Sequence, residues 1–168
     1  AVSGVSVYLD FRFPARLPEE ERAAVCDCLT ESAYAAAMHA QERSYSVEFL
    51  YAQGSVPCLV RPADREKLEE TVYALPPVSA SERYPLELLL KEFSGRMGSF
   101  DHIFVLTAQV SRALIELLSV CRQRGKYPVL LHVYGEEQPS LAGRPAAELV
   151  SGRGIEYHAV RSGEQLAA

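Results

Sequence analysis

The sequence predicts an α/β fold: a doubly wound, mainly parallel six-stranded sheet with one antiparallel edge strand and helices on both faces. Three observations point there. Short apolar runs alternate with longer stretches of helical period, the pattern of successive strand–helix–strand units with right-handed crossovers. The run His102-Ile103-Phe104-Val105-Leu106-Thr107 is apolar almost throughout, as in a strand covered on both faces. A pair of runs separated only by a turn at Gly54 implies one hairpin, and Pro57 places its second strand at an edge.

The first strand is Val5-Ser6-Val7-Tyr8-Leu9-Asp10, which ends in an acid. Pro18 and Glu19-Glu20-Glu21 then open a long Ala-rich helix to about Gln41, because proline suits the first helical turn and carboxylates suit the positive end of the helix dipole. Val25, Leu29, Ser32, Ala36 and Ala40 recur at helical spacing, and the alanines allow close packing on a sheet. Val47 to Tyr51 is a second strand and Ser55 to Val60 a third. Pro62-Ala63-Asp64 opens a helix through Tyr73, stopped at Pro76-Pro77, and Pro85 to Phe93 is a helix ended by Gly95. After the fourth strand, residues 111 to 124 form a helix capped by Gly125. Val129 to Tyr134 is the fifth strand, Pro145 to Val150 a short helix and Ile155 to Val160 the sixth strand, after which Ser162 is placed to cap a further helix.

At 168 residues the chain suits a single domain spanning 1–168. It opens without a methionine and reaches a core strand within five residues, so a piece of a longer protein is expected. A formal charge of −5, with Arg43, Arg61, Arg65, Arg83 and Arg96 scattered among carboxylates, argues against a nucleic-acid partner. No apolar run approaches the ~20 residues of a membrane helix, and no signal peptide is visible. Cys26 and Cys28 point about 200° apart on a helix, which is unsuited to clamping one ion. With Cys58 and Cys121 they read as buried or half-buried thiols of a reducing compartment.

The order of elements resembles a von Willebrand factor A domain. It has an apolar strand ending in Asp10, a long helix, a hairpin, a buried strand ending at Thr107-Ala108, a helix closed by Arg124-Gly125 and two more strands. The join Leu117-Leu118-Ser119-Val120-Cys121-Arg122-Gln123-Arg124-Gly125, followed by Pro128-Val129-Leu130-Leu131, is similar to the repeated join of these domains. More narrowly, the chain resembles the C-terminal half of the bacterial domain-of-unknown-function family fifty-eight. That resemblance implies a parent anchored by membrane helices, a domain facing the cytoplasm, and a protein partner, a MoxR-type AAA ATPase.

It also implies a metal site above the sheet, with ligands from an Asp-x-Ser-x-Ser loop, a Thr and a later Asp. Here Asp10 matches the first ligand, but Arg12 and Pro14 stand at the two Ser positions. The Thr position falls near Tyr84, and Thr107-Ala108-Gln109 contains no Asp. Mg²⁺ needs several oxygen ligands, and a guanidinium two residues from Asp10 can reach the carboxylate and repel a cation. The expectation is therefore an Asp10–Arg12 ion pair, a degenerate metal site, no metal and no cofactor. Asp10 alone reads equally well as a turn cap or as a remnant of recognition.

No catalytic set emerges. The residues after Asp10 lack the glycines of a dinucleotide site, and no Walker motif or Gly-x-Ser-x-Gly elbow occurs. His102 and His132 lie in strands and read as packed histidines. His39 stands near a helix end and His158 on an edge strand. Phe11 and Phe13 flank Arg12 at the rim where doubly wound sheets place ligands. They either pack under the loop or, with Asp10, Arg12 and Tyr84, form a contact surface. The expected function is a non-enzymatic protein-interaction or scaffolding module; the rival is a hydrolase-like enzyme with its site at the same rim.

Overall fold

A computed structural model describes residues 4–53, 56–75, 84–94, 100–135, 140–141 and 144–163. The chain order is β1 (Gly4–Leu9), α1 (Glu19–Glu42), β2 (Ser46–Gln53), β3 (Val56–Val60), α2 (Arg65–Tyr73), α3 (Leu86–Phe93), β4 (His102–Thr107), α4 (Arg112–Gln123), β5 (Tyr127–Tyr134), β6 (Ser140–Leu141), β7 (Arg144–Pro145), α5 (Ala146–Val150) and β8 (Glu156–Arg161). The main sheet runs β3-β2-β1-β4-β5-β8. Every pairing in it is parallel except β2 with β3. The six-stranded mixed sheet with one antiparallel edge strand is therefore as expected. The two-residue ladder of β6 with β7 had no counterpart in the sequence reading. The turn at Gly54 and the stops at Pro76-Pro77 and Gly95 lie outside the described residues, as does nearly all of any helix beyond Ser162.

Alternation along β1 assigns its two faces. Val7 and Leu9 face a core built with α1 and α2, joined by Phe49, Leu68, Leu106 and Val133. Tyr8 faces a second core with Leu50, Val105 and Leu130, roofed by Leu89 and Leu90 of α3, Leu114 and Leu118 of α4, and Val150 of α5. A sheet covered on both faces explains the nearly continuous burial of β2 and β4. Alanines 33, 37 and 40 bring α1 close to the sheet.

The helix ends follow from their caps. α1 closes with Ser44 N–H donating to the Gln41 carbonyl at 2.9 Å and Tyr45 N–H to the Ala40 carbonyl at 3.0 Å, with Ser44 at φ 64° where glycine is usual. α4 begins at Ser111, whose hydroxyl accepts from Leu114 N–H at 3.1 Å. It ends at Gly125, φ 86°, in agreement with the cap read from sequence.

Of the four thiols, Cys26, Cys28 and Cys121 are buried and Cys58 half-buried, all unbridged. Burial pushes the Cys26 and Cys121 thiols up, away from thiolate chemistry. No helix among the described residues is long and apolar enough to cross a membrane.

Candidate functional site

The connections leaving β1 and β4 diverge: β1 leads through α1 to β2 on one side, and β4 leads through α4 to β5 on the other. Between their C-terminal ends lies the crevice where doubly wound sheets bind ligands. Asp10 and Thr107 sit there side by side. Asp10 N–H donates to the Leu106 carbonyl at 3.0 Å, which extends the β1–β4 pairing by one residue. The Thr107 hydroxyl donates to Asp10 Oδ2 at 2.8 Å.

The expected Asp10–Arg12 ion pair is present and two-pronged. Arg12 Nε lies 2.9 Å from Asp10 Oδ1 and Nη2 lies 3.0 Å from Oδ2. The backbone N–H of Arg12 donates to Oδ1 at 3.0 Å, a turn that holds the two residues in register. Asp10 thus accepts four hydrogen bonds, about the full capacity of a carboxylate. Its side chain is 2% exposed, and that of Arg12 is 19% exposed. Burial works against the charge of Arg12, but the hydrogen bond and attraction of Asp10, then of Glu87, outweigh it and raise the guanidinium pKa above its ordinary value.

The line continues past Arg12. Glu87, in the first turn of α3, places Oε2 3.5 Å from Arg12 Nη2. Its Oε1 accepts from the Ser111 hydroxyl at 2.7 Å, and Ser111 caps α4. One polar chain therefore ties β4, the loop after β1, α3 and the start of α4 together. Thr107, Glu87 and Ser111 were not read as site residues from sequence. The sequence marks Thr107 as a strand end and Ser111 as a helix start; the register of β4 against β1 brings Thr107 to Asp10, and Ser111 joins through Glu87. Glu87 carries no sequence signal.

One expectation is corrected. Phe11 is buried and belongs to the α1 core, not to a contact surface, because side-chain alternation carries Val7, Leu9 and Phe11 onto one face. The hydroxyl beside Asp10 is that of Thr107, and the Tyr84 hydroxyl donates to Glu92 at 2.8 Å. Phe13 is half-buried against the α1 core beside Arg12.

The residues fit a divalent ion poorly. Asp10 has its acceptors filled, and among the described residues no three His, Cys, Asp or Glu side chains gather to hold a metal. A hollow of about 160 Å³, which begins at Pro14 in the same loop, is lined by the apolar Leu17 and Val133 and by the polar Arg16, Glu21, His132 and Tyr134. His132 is buried and pushed down to about 4, chiefly by desolvation against a hydrogen bond with the Ala108 backbone. Its Nδ1 lies 3.1 Å from the Tyr157 hydroxyl, so the ring is engaged on both sides. His102 is stacked between Tyr45 and Tyr127 at the opposite rim of the sheet, with ring centroids 6.0 and 5.2 Å apart. These two are packed histidines.

Strand order, the single antiparallel edge and the crevice at Asp10 define an α/β fold of the von Willebrand factor A type. Among solved structures, the chain is similar to the VWA domain of SpRpn10, with a TM-score of 0.56 and 11% identity over 98% of this chain and 92% of that one. At that identity the likeness is one of fold. No family model matches the sequence, and no curated protein matches it.

Proposed function

We propose that this domain is a non-enzymatic protein-interaction module in which Arg12 stands where A-type domains hold a divalent ion. The observation that carries the reading is the two-pronged Arg12–Asp10 pair at the sheet's switch point, with every acceptor position of Asp10 taken. A built-in cation leaves the rim metal-independent. The contact surface comprises Arg12, Phe13 and the hollow that begins at Pro14, which has room for one side chain of a partner. Against the hydrolase-like alternative stands His132, buried, with Nδ1 on the Tyr157 hydroxyl and its charged form disfavoured by desolvation. By the narrower family resemblance, the partner is a MoxR-type AAA ATPase and the parent is membrane-anchored with this domain in the cytoplasm.

The test is affinity capture with the wild-type domain and with Arg12→Glu, Phe13→Ala, each in Mg²⁺ and in EDTA. The wild type retains its partners in EDTA, the double variant loses them, and the ATPase is among them. Loss of partners in EDTA, or equal capture by both proteins, overturns the reading.

A further inference from the structure

At the opposite rim from Asp10, below the N-terminal ends of β1 and β2, lies a cavity of about 690 Å³, within the range of small-molecule sites. Its apolar wall is Met38, Tyr45, Val47 and Phe100. Phe100 lies flat on the backbone of Gly4, where a Cβ would stand 2.6 Å from the ring. Ser44, Ser46 and Gln41 add polar groups, and Arg61 and Arg65 reach in from the end of β3 and the start of α2.

The charged groups have unequal commitments. The Asp64 carboxylate accepts one hydrogen bond, from the Lys67 N–H at the head of α2, at 2.9 Å. Buried Glu48 holds the Ser6 hydroxyl at 2.6 Å and Arg61 Nε at 3.0 Å. Arg61 thereby uses one of its donors; its guanidinium carbon stands 5.9 Å above the Phe100 ring, and its two amino groups have no partner among the described residues. Arg65 Nη2 lies 2.9 Å from the Met38 sulfur, a weak acceptor, and the side chain also bonds Tyr34. The acids that act on Arg65 are Glu42, on the cavity wall, and Glu69. The first turn of α2 adds the positive end of its dipole. The two amino groups of Arg61 and the side chain of Arg65 border an aromatic and aliphatic wall.

We propose that this cavity is a binding site for a small organic carboxylate with an aromatic or aliphatic body. The carboxylate is received by the two amino groups of Arg61 together with Arg65, and the body lies against Tyr45, Phe100 and Val47. Neither Asp10 nor the rim at Arg12 takes part, so the site is independent of the interaction surface proposed above.

The experiment is a ¹H–¹⁵N NMR titration of the whole chain with phenylacetate, at constant ionic strength. Parallel arms use phenylacetamide, phenethylamine and inorganic phosphate. Saturable shifts are expected at residues 44–46, 61 and 65, with a Kd in the millimolar range for so small a ligand. The amide and amine bind at least about tenfold more weakly, and phosphate alone gives no saturation, because the apolar contact is missing. Arg65→Ala and Tyr45→Ala alter exposed side chains, leave the remaining spectrum intact and each weaken phenylacetate about fivefold or more. Arg61→Ala uncovers buried Glu48, so its loss of binding counts only alongside those two. Equal binding of phenethylamine and phenylacetate, saturation by phosphate alone, shifts scattered away from this rim, or undiminished binding by both exposed-site variants overturns the proposal.

Discussion

Replacing Arg12 with methionine removes the guanidinium while keeping a long apolar stem. Asp10 then loses two of its four hydrogen bonds and keeps those from the residue-12 N–H and from Thr107. Stripping one partner from a buried ion pair costs about 3–5 kcal/mol. A fifth of the Arg12 side chain is in water and screens the pair, which favours the low end, about 3 kcal/mol. For a chain of this size that lowers Tm by about 6–12 °C. Urea denaturation of wild type, Arg12→Met, Asp10→Asn and the double variant measures the coupling. The double variant is expected to be more stable than the sum of the singles by about 1 kcal/mol or more, because no charge is left buried alone. Additivity within about 0.5 kcal/mol would refute an energetically coupled pair. A gain is expected from Arg12→Ser, which frees the oxygens of Asp10 and Glu87 that the guanidinium holds. Mn²⁺ at about ten times its Kd then stabilises this variant by about 1.4 kcal/mol and leaves the wild type unchanged. A wild-type Tm that rises with Mn²⁺ would contradict the built-in cation.

Three further outcomes are expected. His132 is held near 4 in the fold against 6.5 for the ordinary group, so the unfolded chain binds the extra proton first as pH falls. Stability linked to His132 is full above about pH 6.5 and declines toward pH 4, by about 3 kcal/mol in all. His132→Gln should flatten that part of a urea-midpoint series, and an unchanged slope would contradict it. The Ser32 hydroxyl is buried on α1 without a partner among the described residues, so Ser32→Ala should stabilise by about 1 kcal/mol through relief of an unpaired group and better helix propensity. A measured loss of stability would reveal a hydrogen bond to Ser32 instead. Gly4→Ala drives a methyl into the Phe100 ring and should cost about 1–3 kcal/mol by thermal denaturation, whereas a neutral effect would mean the ring moves freely.

Much of the fold was legible in the chain, and for identifiable reasons. The unbroken apolar run from His102 could only be a strand covered twice, and Pro57 could not sit in a central strand. Gly125 and Ser111 marked both ends of α4 through groups that local backbone geometry demands. The β6–β7 pair was not legible, because two residues per strand leave no period to read. Phe11 misled because the apolar alternation of β1 runs beyond the strand's last paired residue, while the sequence suggested a loop.

The candidate site divides along the same line. Asp10 and Arg12 are two residues apart, so their pairing is a matter of local chain geometry, and the sequence by itself determined it along with the fold class. Thr107 and Glu87 lie 97 and 77 positions from Asp10 in the chain, a separation no local pattern spans. Only the packing of β4 beside β1 and of α3 across the rim brings the hydroxyl and the second carboxylate to the guanidinium. The cavity at the opposite rim is likewise a product of tertiary structure, since Tyr45, Arg61 and Phe100 meet there only because three strands end at one edge of the sheet.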